Sequence, residues 1–107
     1  MLKKRLRLRS LEVERVMKAG KSARSAHLQV KFIAGAGSFR SAAVVPKSLA
    51  RKAVMRNSLR RSLYRAIASI KIENKGDAVF FVRVVPKEKP TAVFIQELAY
   101  LASKLSN

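Results

Sequence analysis

The sequence predicts a single α/β (α+β) domain, a two-layer sandwich in which helices pack a three- or four-stranded sheet, with elements in the order α-β-β-α-β-α. Three observations carry that expectation. Apolar residues alternate in one short segment and run almost unbroken through another, as half-buried and fully buried strands do. In three other segments they recur at three- and four-residue spacing, as on the buried face of a helix. A chain of 107 residues, 49% of them hydrophobic, has enough apolar surface for one core and too few residues for two.

Residues 1–9 form a basic tail with no apolar run behind it, and self-repulsion predicts that it is flexible. Ser10 is placed to cap a first helix that carries Leu11, Val13, Val16 and Met17 and stops at Gly20. From His27 to Ile33, Leu28, Val30 and Phe32 alternate with Gln29 and Lys31, which predicts a strand, and Gly35 to Ser38 then reads as a hairpin turn. The next strand runs from about Phe39 to Val45 and ends at Pro46. Between Ser48 and about Ile72 there is no Gly or Pro, while Met55, Leu59, Leu63, Ala66, Ile67 and Ile70 keep helical spacing, which predicts a long helix. Asn74-Lys75-Gly76-Asp77 is turn chemistry. The β-branched and aromatic run Ala78–Val85 predicts a central strand covered on both faces. After a loop between Pro86 and Pro90, Thr91 is placed to cap a last helix bearing Phe94, Leu98, Leu101 and Leu105.

The charge is more unusual than the pattern. Twenty-four Lys and Arg against six Asp and Glu give +18, a self-repulsion that points to a polyanionic partner, with nucleic acid the leading candidate. No acid falls between Arg15 and Ile72, a window holding 14 of the 24 bases. With no cysteine there is no disulfide, thiolate metal site or thiol nucleophile, and with no apolar stretch of about 18 residues there is no membrane span. The expectation is a soluble cytoplasmic protein. A single histidine, His27, is too few for paired proton transfer, and the scattered acids offer no two-metal nuclease site. No nucleophile elbow or phosphate-cradling glycine loop is present either, so no catalytic residue is assigned and no small-molecule substrate is expected.

The informative segment lies between Lys47 and Arg65. On a helix at about 100° per residue, the apolar stripe docks, while Arg56, Asn57, Arg60, Arg61 and Arg65 occupy the remaining circumference without an acid to pair them. Guanidinium forks engage two phosphate oxygens at once, and the Asn57 amide both donates and accepts toward a base edge or a 2′-hydroxyl. Two further readings stay open from composition alone: a ribosomal or ribosome-assembly RNA-binding protein, and a cationic membrane-surface protein, which the absence of Trp disfavours.

Arg56-Asn57 followed by Leu59-Arg60-Arg61, and preceded by Val45-Pro46-Lys47 and Arg51-Lys52-Ala53, resembles the signature of the bacterial ribonuclease P protein component. Leu2-Lys3-Lys4-Arg5, Leu8-Arg9 and the run Val13, Val16, Met17, Gly20 resemble that family's opening. Against the family pattern, Ser48, Ser58 and Tyr64 stand where basic residues are usual, and Val13 and Met17 stand where phenylalanines are frequent. The resemblance implies a left-handed β-α-β crossover and a role beside a catalytic RNA that removes the 5′ leader of precursor tRNA with Mg2+ held by RNA. It further implies that Lys47, Arg51, Lys52, Arg56, Asn57, Arg60, Arg61 and Arg65 contact ribonuclease P RNA. Val13, Met17, Lys31, Phe32 and Arg40 are the candidates for a cleft that takes the leader of the precursor tRNA.

Overall fold

A computed structural model describes residues 7–35, 37–70, 72 and 75–105. The basic residues 1–6, Ala36 of the glycine turn, Lys71, and Asn74 of the turn before the last strand lie outside the described residues, and the long helix ends at Ser69, short of the expected end at about Ile72. The elements are α1 (Ser10–Ala19), β1 (Lys21–Arg24), β2 (Leu28–Ala34), β3 (Arg40–Val44), α2 (Ala53–Ser69), β4 (Gly76–Val82) and α3 (Pro90–Leu105). They form a four-stranded mixed sheet in the order β1-β2-β4-β3.

The expected α+β architecture is present, with one added strand and one altered connection. β1 is the polar stretch Lys-Ser-Ala-Arg, mostly exposed and paired only to β2, so it lacks the apolar alternation that marks a strand. The Gly35–Ser38 turn is not a hairpin. β4 inserts between β2 and β3, antiparallel to the first and parallel to the second, and β3-α2-β4 is therefore a crossover unit. Burial on both faces makes β4 the centre of the sheet, as its continuous apolar run requires.

Side chains from successive strand positions go to opposite faces. On one face Leu28, Val30, Phe32, Ala43, Ala78, Phe80 and Val82 meet Leu59, Leu63, Ala66 and Ile67 of α2 and Phe94, Leu98 and Leu101 of α3. On the other, Val16 of α1 packs on Ala42 and Val79, flanked by Val13, Ile33 and Phe81. The main sandwich is thus sheet against α2 and α3, with α1 crossing the opposite face.

Three element boundaries shift for local reasons. Arg9, rather than Ser10, is the N-cap of α1, because the Glu12 carboxylate reaches back to accept from the Arg9 amide at 2.9 Å. α2 starts at Ala53, because the Pro46 carbonyl first accepts from the amides of Leu49 and Ala50 and Ala50 is buried in the core. The last strand ends at Val82, where the amides of Arg83 and Val84 both turn to the His27 carbonyl. Gly20 ends α1 as expected, and a Cβ there would lie 2.5 Å from the Val16 carbonyl oxygen.

Candidate nucleic-acid interface

α2 places the basic motif. Its first turn holds no acid and its N-cap, Lys52, makes no side-chain cap, so the positive end of the helix adds to Arg51 and Lys52 instead of being offset. Leu59, Leu63, Ala66 and Ile67 fix the helix on the core. Counting about 100° per residue from Asn57, Arg60, Arg61 and Arg65 fall within about 80° of it, on the side opposite Leu59 and Ala66. All four are exposed, and the Asn57 side-chain oxygen accepts from Arg60 Nη2, which orders the amide beside the guanidinium.

Arg56 behaves differently. It projects toward the docked side of α2, where its Nη1 donates to the carbonyls of Ala50 at 3.0 Å and Arg51 at 2.6 Å. It closes the loop ahead of the helix and leaves its other guanidinium nitrogens for a phosphate. Met55 is also displaced from its expected place in the apolar stripe: it is 49% exposed, beside the exposed Val54 in the first helical turn. Lys47, Arg51 and Lys52 are exposed on the approach to α2.

The expected leader-binding residues divide between the two sheet faces. Val13 and Met17 lie on α1, and Lys31 Nζ donates to the Met17 carbonyl at 2.9 Å, so these three come together beside α1. Phe32 does not join them. It is a core residue, 8% exposed on the α2–α3 face, because it shares the strand parity of Leu28 and Val30. The aromatic on the α1 face is Phe81, half-buried and paired in register with Gln29 and Val44. The Phe80-Phe81 pair signalled in the sequence that two aromatics face opposite sides of the sheet, without saying which of them meets α1.

Arg40 is present on the α1 face but committed to ion pairs. The parallel register sets it opposite Asp77, to which Nε and Nη2 each donate at 3.0 Å, while Nη1 lies 2.5 Å from Glu12 of α1. Arg15 of α1 adds a 2.5 Å contact to the same Asp77. Hydrogen bonding to Asp77, with a further bond to Glu12, raises the Arg40 pKa above its ordinary value. The Arg9 amide, helped by Arg40, holds the Glu12 carboxyl below its own. This network pins α1 across the sheet.

At the far end of the sheet, Glu97 of α3 accepts from the Ser25 hydroxyl and from the His27 amide at 2.7 Å, and meets His27 Nδ1 at 2.5 Å. Burial pushes the Glu97 carboxyl up, but these hydrogen bonds outweigh it and leave the pKa lowered. His27 therefore anchors α3 to the turn between β1 and β2. Glu12, Asp77 and Glu97 are each engaged by cations or hydrogen-bond donors, and among the described residues no group of three His, Asp or Glu side chains converges on a cation. Also among the described residues, no helix is long and apolar enough to cross a membrane.

The family profile described as Ribonuclease P matches residues 2–106. A search of curated proteins finds no match. Among solved structures, a Staphylococcus aureus RNase P protein mutant with defective mRNA degradation activity superposes with a TM-score of 0.81 at 21% identity, over 96% of this chain and 90% of that one. The RNase P protein from Thermotoga maritima gives 0.78 at 25% identity, over 92% and 96%. Profile and fold agree along nearly the whole chain: it belongs to the ribonuclease P protein family and is a subunit of ribonuclease P, which decides against the ribosomal reading that its composition left open.

Proposed function

We propose that α2 binds the catalytic RNA of ribonuclease P, that the sheet face beside α1 takes the 5′ leader of precursor tRNA, and that cleavage is carried out by the RNA with Mg2+ held by RNA and substrate. The observation that carries this reading is the acid-free stripe of Asn57, Arg60, Arg61 and Arg65, held outward by a helix whose other side is locked in the core. Guanidiniums so placed lower the repulsion between neighbouring phosphates without the cost of ordering backbone on binding, since the helix is already docked. Lys47, Arg51, Lys52 and the free guanidinium nitrogens of Arg56 extend the contact to the preceding loop.

On the other face, Val13, Met17 and Phe81 offer apolar contact to unpaired nucleotides, with Lys31 beside them for a phosphate. Fixing the leader relative to the catalytic RNA orients the scissile phosphate, and added cations near clustered phosphates lower the magnesium demand of the RNA fold.

The absence of cysteine makes a direct test available. A hydroxyl-radical-generating chelate attached through Ser58→Cys on α2 is expected to cut the catalytic RNA, and one attached through Met17→Cys on α1 is expected to cut the leader. Cuts confined to the leader from Ser58, or to the catalytic RNA from Met17, contradict the assignment of the two faces.

A further inference from the structure

Between the N-terminal segment, the start of α1 and the flank of α2 runs an open groove lined by Arg7, Leu8, Arg9, Leu11, Arg40 and Tyr64. The segment is held in place because the Leu8 amide donates to the Ser41 carbonyl at 2.8 Å and Arg7 bridges the free edge of β3. Tyr64 rests partly on the α2–α3 core, and the Arg7 guanidinium carbon lies 5.7 Å from its ring centroid.

The groove's charges are unequally committed. Arg40 is held by Asp77 and Glu12, and Glu12 is in turn answered by Arg40 and the Arg9 amide. The side chains of Arg7 and Arg9 form no salt bridge among the described residues. Arg7 therefore lies against the part-buried Tyr64 ring and Arg9 lines the same groove, neither of them held by an ion pair. Tyr64 also follows Asn57 by two helical turns and Arg60 by one, so it continues the cationic stripe of α2 into the groove.

We infer that this groove is a stacking subsite for one unpaired RNA base, which lies on Tyr64 while its flanking phosphate is held by Arg7 and Arg9. The inference rests on the RNA-binding reading and adds a second kind of contact to it. A tyrosine ring has no charge to offer a phosphate, but every base has a π face that stacks on it. On binding, the Arg7 guanidinium leaves a weak exposed contact with the ring for a charge-assisted one with the phosphate, and the base takes the vacated face. Paired bases are already stacked on both sides, so the subsite selects unpaired RNA.

The chain contains no Trp, so Tyr64→Trp introduces a single fluorescent reporter. The probes are a short unstructured pyrimidine-rich RNA and a fully paired RNA hairpin with the same number of phosphates, both labelled for anisotropy. The expected result is that both bind and only the unpaired RNA quenches the tryptophan. Tyr64→Ala then weakens the unpaired RNA by about fivefold to a hundredfold with an unchanged salt slope, and Tyr64→Phe binds as the native chain does. Arg7→Ala lowers the magnitude of the salt slope by about one. Binding of both RNAs without quenching, or a folded Tyr64→Ala that binds unpaired RNA at native strength, overturns the subsite and leaves RNA binding by α2 standing. Failure of the native chain to bind either RNA overturns both.

Discussion

Arg56 and Arg61 belong to one basic motif, yet their surroundings predict different consequences of losing them. Arg56→Ala leaves the Ala50 and Arg51 carbonyls without their donor, and is expected to cost about 1 kcal/mol, roughly 4 °C or more in Tm for a domain of this size. Arg61→Ala touches only solvent and is expected to leave the melt unchanged while weakening RNA binding; equal melts for the two variants contradict the distinction. Gly76 is the most exacting position. Its φ of 142° lies where L side chains are strained, and a Cβ would sit 2.2 Å from the Ile33 carbonyl oxygen, so Gly76→Ala is expected to cost about 3 kcal/mol or more in denaturant unfolding. At this scale the exposed cationic stripe of α2 was legible because charge without acids is visible in a sequence. The placements of Phe32 and Phe81 were not, since alternation tells which residues share a face but not which face the two long helices cover.

Among the elements, α1 depends least on apolar packing: Val16 is its only fully buried residue, and ion pairs from Glu12 and Arg15 complete its docking. Asp77→Asn removes the charge that holds both Arg15 and Arg40, and is expected to cost about 2 kcal/mol and to expose α1 amides to hydrogen exchange before those of β2 and β4. Retained protection in α1 contradicts that role. α3 is held differently, through Glu97. Because the folded-state pKa of that carboxyl is lowered, its contribution is complete above the ordinary value of 4.5 and is lost as pH falls through the lower folded value. Thermal melts of the native chain are therefore expected to drop on acidification below about pH 4.5. Glu97→Gln is expected to flatten that drop; equal slopes for both chains contradict it. The helices were legible from spacing and β4 from its unbroken apolar run. β1 was hidden because an exposed edge strand needs no apolar alternation, and the start of α2 was hidden because the Pro46 turn and Arg56 settle it through bonds that no propensity records.

Across the whole molecule, the fold separates two surfaces: the cationic side of α2, and the sheet face crossed by α1, with the Arg7–Tyr64 groove between them. Strand order was beyond the sequence, since β4 pairs with two strands distant from it in the chain, whereas the class and the nucleic-acid reading followed from composition and pattern. If about six phosphates are neutralised, the logarithm of affinity for ribonuclease P RNA is expected to fall against the logarithm of salt with a slope of about −4 to −5, and Arg60→Ala and Arg61→Ala are each expected to reduce its magnitude by about one. The central claim, that this chain assists an RNA that does the chemistry, is tested most directly by precursor-tRNA cleavage at low magnesium with a bacterial ribonuclease P RNA alone, with this protein alone, and with both. The account predicts leader removal that is strongly stimulated when both are present and absent with the protein by itself. Cleavage by the protein alone, or no stimulation of an RNA that it demonstrably binds, would contradict it.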